Sequence, residues 1–173
     1  MDNIKLKTIR VFSKRKFIDY VNSLGLEDSV EDLNNPKISI ISIEVPDIPE
    51  QDDSGRDWDF RRDHYFELPH SGILNLEFYD ISEVSPGSFT PELAQLVKEF
   101  LDRRIFTDET EELIIHCAAG KSRSYAIGEV IYEYLVDSGY SGISFPEYKL
   151  PTKFPNPLVR SELMRLYYWN DIL

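Results

Sequence analysis

The chain predicts a single α/β domain with a mostly parallel central sheet flanked by helices on both faces, and three observations carry this. Segments rich in β-branched residues alternate with amphipathic helical segments along the 173 residues, the pattern that builds parallel sheets through helical crossovers. The segment Lys37 to Val45 is so rich in isoleucine that it reads as a central strand, buried on both faces. At 42% hydrophobic, the chain can bury a sizeable core yet is short for two domains, so residues 1–173 read as one.

Taken in order, Ile4 to Phe12 reads as a first strand, and Ser13 caps a short helix whose Phe17, Ile18 and Val21 share a face. After the Lys37–Val45 strand comes an irregular stretch, Pro46 to Ser71, long enough for a connection within a domain to mark it as functional or mobile. Gly72 to Tyr79 alternates in part and is rich in strand formers. Thr90-Pro91 is an N-cap followed by proline at the first helical position. Leu93, Leu96, Val97, Phe100 and Leu101 then fall at helical spacing, marking a helix to about Arg104. Leu113-Ile114-Ile115 reads as a short buried strand. From Tyr125 a helix places Ala126, Ile127, Val130, Ile131, Tyr134 and Leu135 on one face, with Glu129, Glu133 and Asp137 outside it. A last helix opens at Phe154 to Val159 and bears Val159, Leu163, Leu166 and Tyr167 on one side.

The chemistry concentrates between the Leu113 strand and the Tyr125 helix. Residues His116 to Ser124 contain the only cysteine of the chain, with a histidine before it and an arginine six positions after it. A strand–loop–helix turn containing a glycine and two alanines can curl its N–H groups inward, and the following helix adds its positive end. Such a cup of Ala118, Ala119, Gly120, Lys121, Ser122 and Arg123 binds a tetrahedral oxyanion, and the same field favours a thiolate. Cys117 becomes a nucleophile, and Arg123 can grip two phosphate oxygens with a planar fork that lysine cannot copy.

A nucleotide-binding loop of the Gly-x4-Gly-Lys-Ser/Thr type fails on its first residue, because Ile115 stands where glycine is required. Taken alone, Cys117 would read as a small buried hydrophobe at a strand end. The joint spacing of His116, Cys117, Gly120, Arg123 and Ser124 argues for the functional reading.

The string Cys117-Ala118-Ala119-Gly120-Lys121-Ser122-Arg123, between His116 and Ser124, resembles the His-Cys-x5-Arg-Ser/Thr signature of the cysteine-dependent protein tyrosine phosphatase superfamily. The Ala-Gly-x-Ser-Arg-Ser part is most similar to the compact dual-specificity-like branch with its small bacterial and phage-type members. A Pro-Asn pair before the last helix extends the likeness weakly from Gly72 to Leu173. The resemblance implies a two-step reaction through a phosphocysteine, without metal or other cofactor. It also implies that Ser124 helps Cys117 leave in the second step, and that His116 orders the loop and tunes the thiol.

The leaving group needs a proton, usually from a carboxylic acid on a nearby loop. Asp80 stands at the end of the Gly72–Tyr79 strand, a few dozen residues before Cys117, and so resembles the family's aromatic-x-Asp general acid. Its plain reading is a turn or cap residue. Trp58-Asp59 is superficially similar to the Trp-Pro-Asp loop of larger tyrosine phosphatases, with Asp53 and Asp57 nearby, but these lie further from Cys117 and lack the proline. The stretch Arg56 to Phe66 reads either as a charged surface loop with aromatic anchors or as part of a pocket wall.

Composition limits the partners. Nineteen Lys plus Arg against 31 Asp plus Glu give a formal charge of −12, which repels polynucleotides and anionic membranes at long range. No nucleic-acid partner is expected. Lys14-Arg15-Lys16, Arg61-Arg62 and Arg103-Arg104 read by default as solvated surface, although Arg61-Arg62 could steer an anionic substrate if they approach the pocket. A single cysteine excludes an intramolecular disulfide and fits a reducing cytoplasm. Met1-Asp2-Asn3-Ile4 opens no signal peptide, no apolar run reaches the roughly eighteen residues of a membrane span, and no metal-ligand cluster stands out.

Three activities fit these residues. The first is a phosphatase for phosphotyrosine in proteins, with or without phosphoserine and phosphothreonine. The second acts on a non-protein phosphoester such as an inositol phosphate, phosphoinositide or nucleotide. Lys121 motivates it, since a Gly-Lys-x-Arg loop is similar to that of phosphoinositide phosphatases, whereas Ala118 departs from that group's second basic residue. The third is a phosphate-binding module with little turnover, against which the full set of Cys117, Arg123, Ser124 and Asp80 argues. The sequence leaves the oligomeric state open.

Overall fold

Two strands flank Glu112–Cys117, one on each side, and this decides where the signature loop emerges. The computed structural model describes residues 4–27, 33–46, 64–67, 70–107 and 110–169. Within them the order is β1 Thr8–Ser13, α1 Lys14–Ser23, β2 Ile38–Glu44, β3 Ile73–Glu77, α2 Pro91–Leu101, β4 Glu112–Cys117, α3 Arg123–Asp137 and α4 Pro157–Met164. The described strands form one sheet in the order β1-β4-β2-β3 with every pairing parallel. This is a single α/β domain with helices on both faces, compatible with the fold that the resemblance implies.

Alternation along β4 separates two cores. Leu113, Ile115 and Cys117 pack with residues of α2, α3 and α4, whereas Ile114 joins Phe17 and Val21 of α1 on the opposite face. All seven residues of β2 are buried, as expected of its isoleucine-rich central position. The register sets Ser13 opposite Cys117, and both Phe12 and Ser42 opposite His116, so the strand ends gather at one edge. Open parallel sheets place their ligands at this carboxyl edge.

The helix starts are those the sequence announces. The Ser13 side chain accepts from the Lys16 amide, and Thr90 accepts from Leu93 with Pro91 in the first turn. Asn156 accepts from the amides of Leu158 and Val159 at the start of α4. Each bond satisfies a donor that a helix N-terminus otherwise leaves free.

Several expectations need correction. The first strand begins at Thr8 rather than Ile4, and α2 continues into a π-helical turn, Asp102–Thr107, instead of ending near Arg104. Leu96 is 48% exposed, because the buried stripe of α2 runs through Ala94, Val97 and Leu101. Glu129, expected on the outside of α3, is buried, and Arg160 of α4 binds it at 3.0 Å and Glu133 at 2.9 Å. Arg104 is no solvated surface residue. It is buried, and it donates to Ser39 Oγ at 2.9 Å and the Pro36 carbonyl at 2.8 Å. Most of the Pro46–Ser71 stretch, including Trp58 and Arg61-Arg62, lies outside the described residues. No helix among the described residues is long and apolar enough to cross a membrane.

Candidate active site

β4 ends on Cys117, α3 begins on Arg123, and five residues turn the chain between them. Gly120 adopts φ +65°, and a Cβ there would lie 2.4 Å from the Phe12 carbonyl carbon and the Ser13 nitrogen. Any side chain would push the loop off the β1–α1 junction, in addition to the strain of the left-handed conformation. Seated in this way, the Gly120 amide donates to Cys117 Sγ at 3.2 Å. Ser124 Oγ lies 3.1 Å from the same sulfur.

The loop carbonyls are tied from outside. Ala118 O accepts from the Lys14 amide at 3.2 Å, Lys121 O from the Phe154 amide at 3.0 Å, and Ser122 O from the Asn156 amide at 3.3 Å. Gly120 O accepts from Lys153 Nζ at 2.5 Å. A planar trans peptide points its N–H opposite to its C=O. Outward carbonyls at 118, 120, 121 and 122 therefore turn the amides of Ala119, Lys121, Ser122 and Arg123 inward, a concave arrangement of donors at the start of α3 that can accommodate an anion.

Arg123 is buried at the mouth of this cup. One terminal nitrogen donates to Phe78 O at 2.7 Å and to Glu44 O at 3.2 Å, the carbonyls just beyond β3 and at the end of β2. The strand ends thus fix the plane of the guanidinium. Its Nε is buried without a hydrogen-bond partner among the described residues, so this donor is available to a group that enters the loop. Lys14 pairs with the Glu44 carboxylate at 2.9 Å and neutralises it beside the cup.

Asp80 is brought to the lip of the loop. Its Oδ1 accepts from Ser122 Oγ at 2.7 Å and from Asn156 Nδ2 at 2.8 Å. Asn156 Nδ2 also donates to Ile81 O at 3.1 Å. Both side-chain donors hold the same carboxylate oxygen, Oδ1. The competing carboxylates Asp53, Asp57 and Asp59 lie outside the described residues.

His116 points to the other face of the sheet from Cys117. Its ring stacks on Phe17 with centroids 4.0 Å apart and planes inclined by 19°. Neither ring nitrogen has a hydrogen-bond partner among the described residues. Burial pushes its pKa down to about 3, and the nearby Lys14, His64 and Arg123 charges push the same way. The native ring is neutral, whereas the unfolded ring takes a proton as the pH falls below about 6.5. Stability contributed by the neutral ring is therefore present above that pH and lost progressively between about 6.5 and 3. Between pH 7 and pH 5 the loss is about 2 kcal/mol at about 1.4 kcal/mol per unit. Urea unfolding at the two pH values is expected to show that loss in wild type and a correspondingly flatter response in His116→Phe. Equal slopes would show that the ring is not held neutral.

Two residues of this site escaped the sequence reading. The helix-opening Asn156 was visible as a Pro-Asn pair, yet nothing local ties its amide to Asp80. Lys153 carries no local signal at all, since its reach to Gly120 depends on the folded chain. No group of three or more His, Cys, Asp or Glu side chains among the described residues is placed to hold a metal ion. Comparison with known proteins found no matching family model, curated protein or solved structure.

Proposed function

We propose that this protein is a cysteine-dependent phosphomonoester hydrolase of the protein tyrosine phosphatase superfamily, in its compact dual-specificity-like branch. The observation that carries the reading is the convergence on Cys117 Sγ of the Gly120 amide at 3.2 Å and Ser124 Oγ at 3.1 Å, at the floor of an inward-facing amide loop. Proteins carrying phosphotyrosine, with or without phosphoserine and phosphothreonine, are the first substrate class.

In the proposed first step Cys117 Sγ forms a bond to phosphorus while the ester P–O bond breaks. The departing oxygen takes a proton from Asp80 and leaves as the alcohol or phenol. Arg123 and the inward amides stabilise the equatorial phosphoryl oxygens. In the second step water attacks the phosphocysteine, Asp80 removes a proton from it, and Ser124 donates to the departing sulfur. Inorganic phosphate is released and the thiolate restored. The nucleophile, cation and acid all come from the chain, so turnover is proposed to need no metal or cofactor.

Lys121 and Lys153 beside the loop favour a second reading, a small non-protein phosphoester with additional negative charge. The single cysteine supports a cytoplasmic setting, and the charge of −12 opposes a nucleic-acid partner.

The test is hydrolysis of para-nitrophenyl phosphate by reduced protein in EDTA, with vanadate as inhibitor. Vanadate-sensitive turnover is expected, and its absence from folded protein would replace the enzyme by a binding module. Asp80→Asn retains a carbonyl oxygen for Ser122 and Asn156 but has no proton to give. Its kcat on an alkyl phosphate is expected to fall about 10²- to 10³-fold, with phosphate affinity nearly unchanged. An unaltered rate on that poor leaving group would remove Asp80 from the acid role.

A further inference from the structure

We propose that Lys153 is a positioning residue of the phosphate cup, locking the Gly120–Lys121 peptide with its carbonyl outward so that the Lys121 amide faces the bound phosphate. The proposal rests on the reading of residues 117–123 as a phosphate site. Three consecutive loop carbonyls, at Gly120, Lys121 and Ser122, are held by a strap from Lys153 to Asn156. The donors at Lys121 and Ser122 are backbone amides, which almost any residue supplies. The donor at Gly120 is a side chain.

That tie falls where the loop is freest to err. Gly120 sits at φ +65°, and glycine tolerates a wider range of backbone torsions than any other residue. The Gly120–Lys121 peptide is therefore the unit of the cup most able to rotate. A half-turn would replace an inward N–H by an inward carbonyl, exchanging attraction for repulsion at a bound phosphate. The ammonium on Gly120 O opposes that rotation.

The surroundings of Lys153 fit such a role. Lys153 is half-buried, and burial pushes its pKa down. Glu147 and the Cys117 sulfur favour its charged form, whereas Lys16 of α1 and Lys121 of the loop oppose it. A charged amine kept beside the cup also adds positive potential where a phosphate would sit.

The experiment uses the full chain carrying Cys117→Ser, titrated with inorganic phosphate by calorimetry and by amide NMR. Phosphate is expected to bind this parent and to move the Lys121 amide proton downfield. Adding Lys153→Met should weaken binding about tenfold and abolish that shift without lowering Tm, and Lys153→Arg should restore both. Lys153→Leu, which also has no donor for Gly120 O, serves if the methionine variant does not fold. Lys16→Gln, which removes a neighbouring charge but no tie, should leave the Lys121 shift in place. Unchanged binding and an intact Lys121 shift in Lys153→Met would overturn the proposal, as would an equal loss of the shift in Lys16→Gln. Failure of both the parent and the protein with Cys117 intact to bind phosphate would overturn the underlying phosphate reading, and the role of Lys153 with it; if only the latter binds, the same comparisons are made in it.

Discussion

Cys117→Ser is expected to lose para-nitrophenyl phosphate turnover by about 10⁴-fold or more while still binding phosphate. A serine hydroxyl is scarcely ionised near neutrality, so the attacking lone pair is lost although the atom remains. The cup does not depend on sulfur. Its carbonyl ties to Lys14, Lys153, Phe154 and Asn156 involve other atoms, and the Gly120 and Ser124 groups that face Sγ can face Oγ. Steady-state rates and phosphate calorimetry on the same preparation separate the two properties. Undiminished turnover in the variant would exclude the cysteine mechanism, whereas joint loss of turnover and binding with an unchanged Tm would show that sulfur shapes the cup.

Arg123→Lys should damage binding and rate together. One guanidinium nitrogen already bridges the Phe78 and Glu44 carbonyls at 2.7 and 3.2 Å, and that anchoring fixes where the remaining donors point. An ammonium has a single nitrogen, so it can satisfy the strand-end carbonyls or reach the phosphate, but it cannot present a planar fork while doing the former. A fall of about 10³-fold in kcat/KM is expected, shared between weaker phosphate binding and slower chemistry. The split is read from phosphate affinity in the Cys117→Ser background and from kcat in the Cys117 enzyme. A lysine variant with near-normal kcat would mean that charge alone suffices and that the fork geometry is incidental.

What could be read in advance was whatever neighbouring residues decide. Lys37 to Val45 declared a buried strand through its isoleucines, Ser13 and Thr90 declared helix starts, and His116 to Ser124 placed a cysteine, a glycine and an arginine on one turn. The remainder required partners distant in the chain. Glu129 looked exposed because its helix position is outward-facing, until Arg160 of α4 covered it. Arg104 looked solvated, yet Ser39 and Pro36 draw it inside. Asp80 reads from local pattern as the end of a Gly72–Tyr79 strand, whereas β3 ends at Glu77 and Asp80 lies three residues beyond it, and its attachment to Ser122 and Asn156 depends on how three separate segments meet.

The loop ties have a consequence for the order in which the protein is made. One comes from Lys14, near the start of the chain, and three come from the strap between Lys153 and Asn156. Synthesis proceeds from the N-terminus at about 5–20 residues per second. The sheet strands and the whole signature have therefore emerged before the last ties exist. A nascent chain halted before the strap would carry every residue of the motif, with the carbonyls of Gly120, Lys121 and Ser122 missing those outside donors. On the proposed reading, the loop becomes able to hold phosphate only once the strap has followed the signature out of the ribosome, a few seconds after its chemical groups are present.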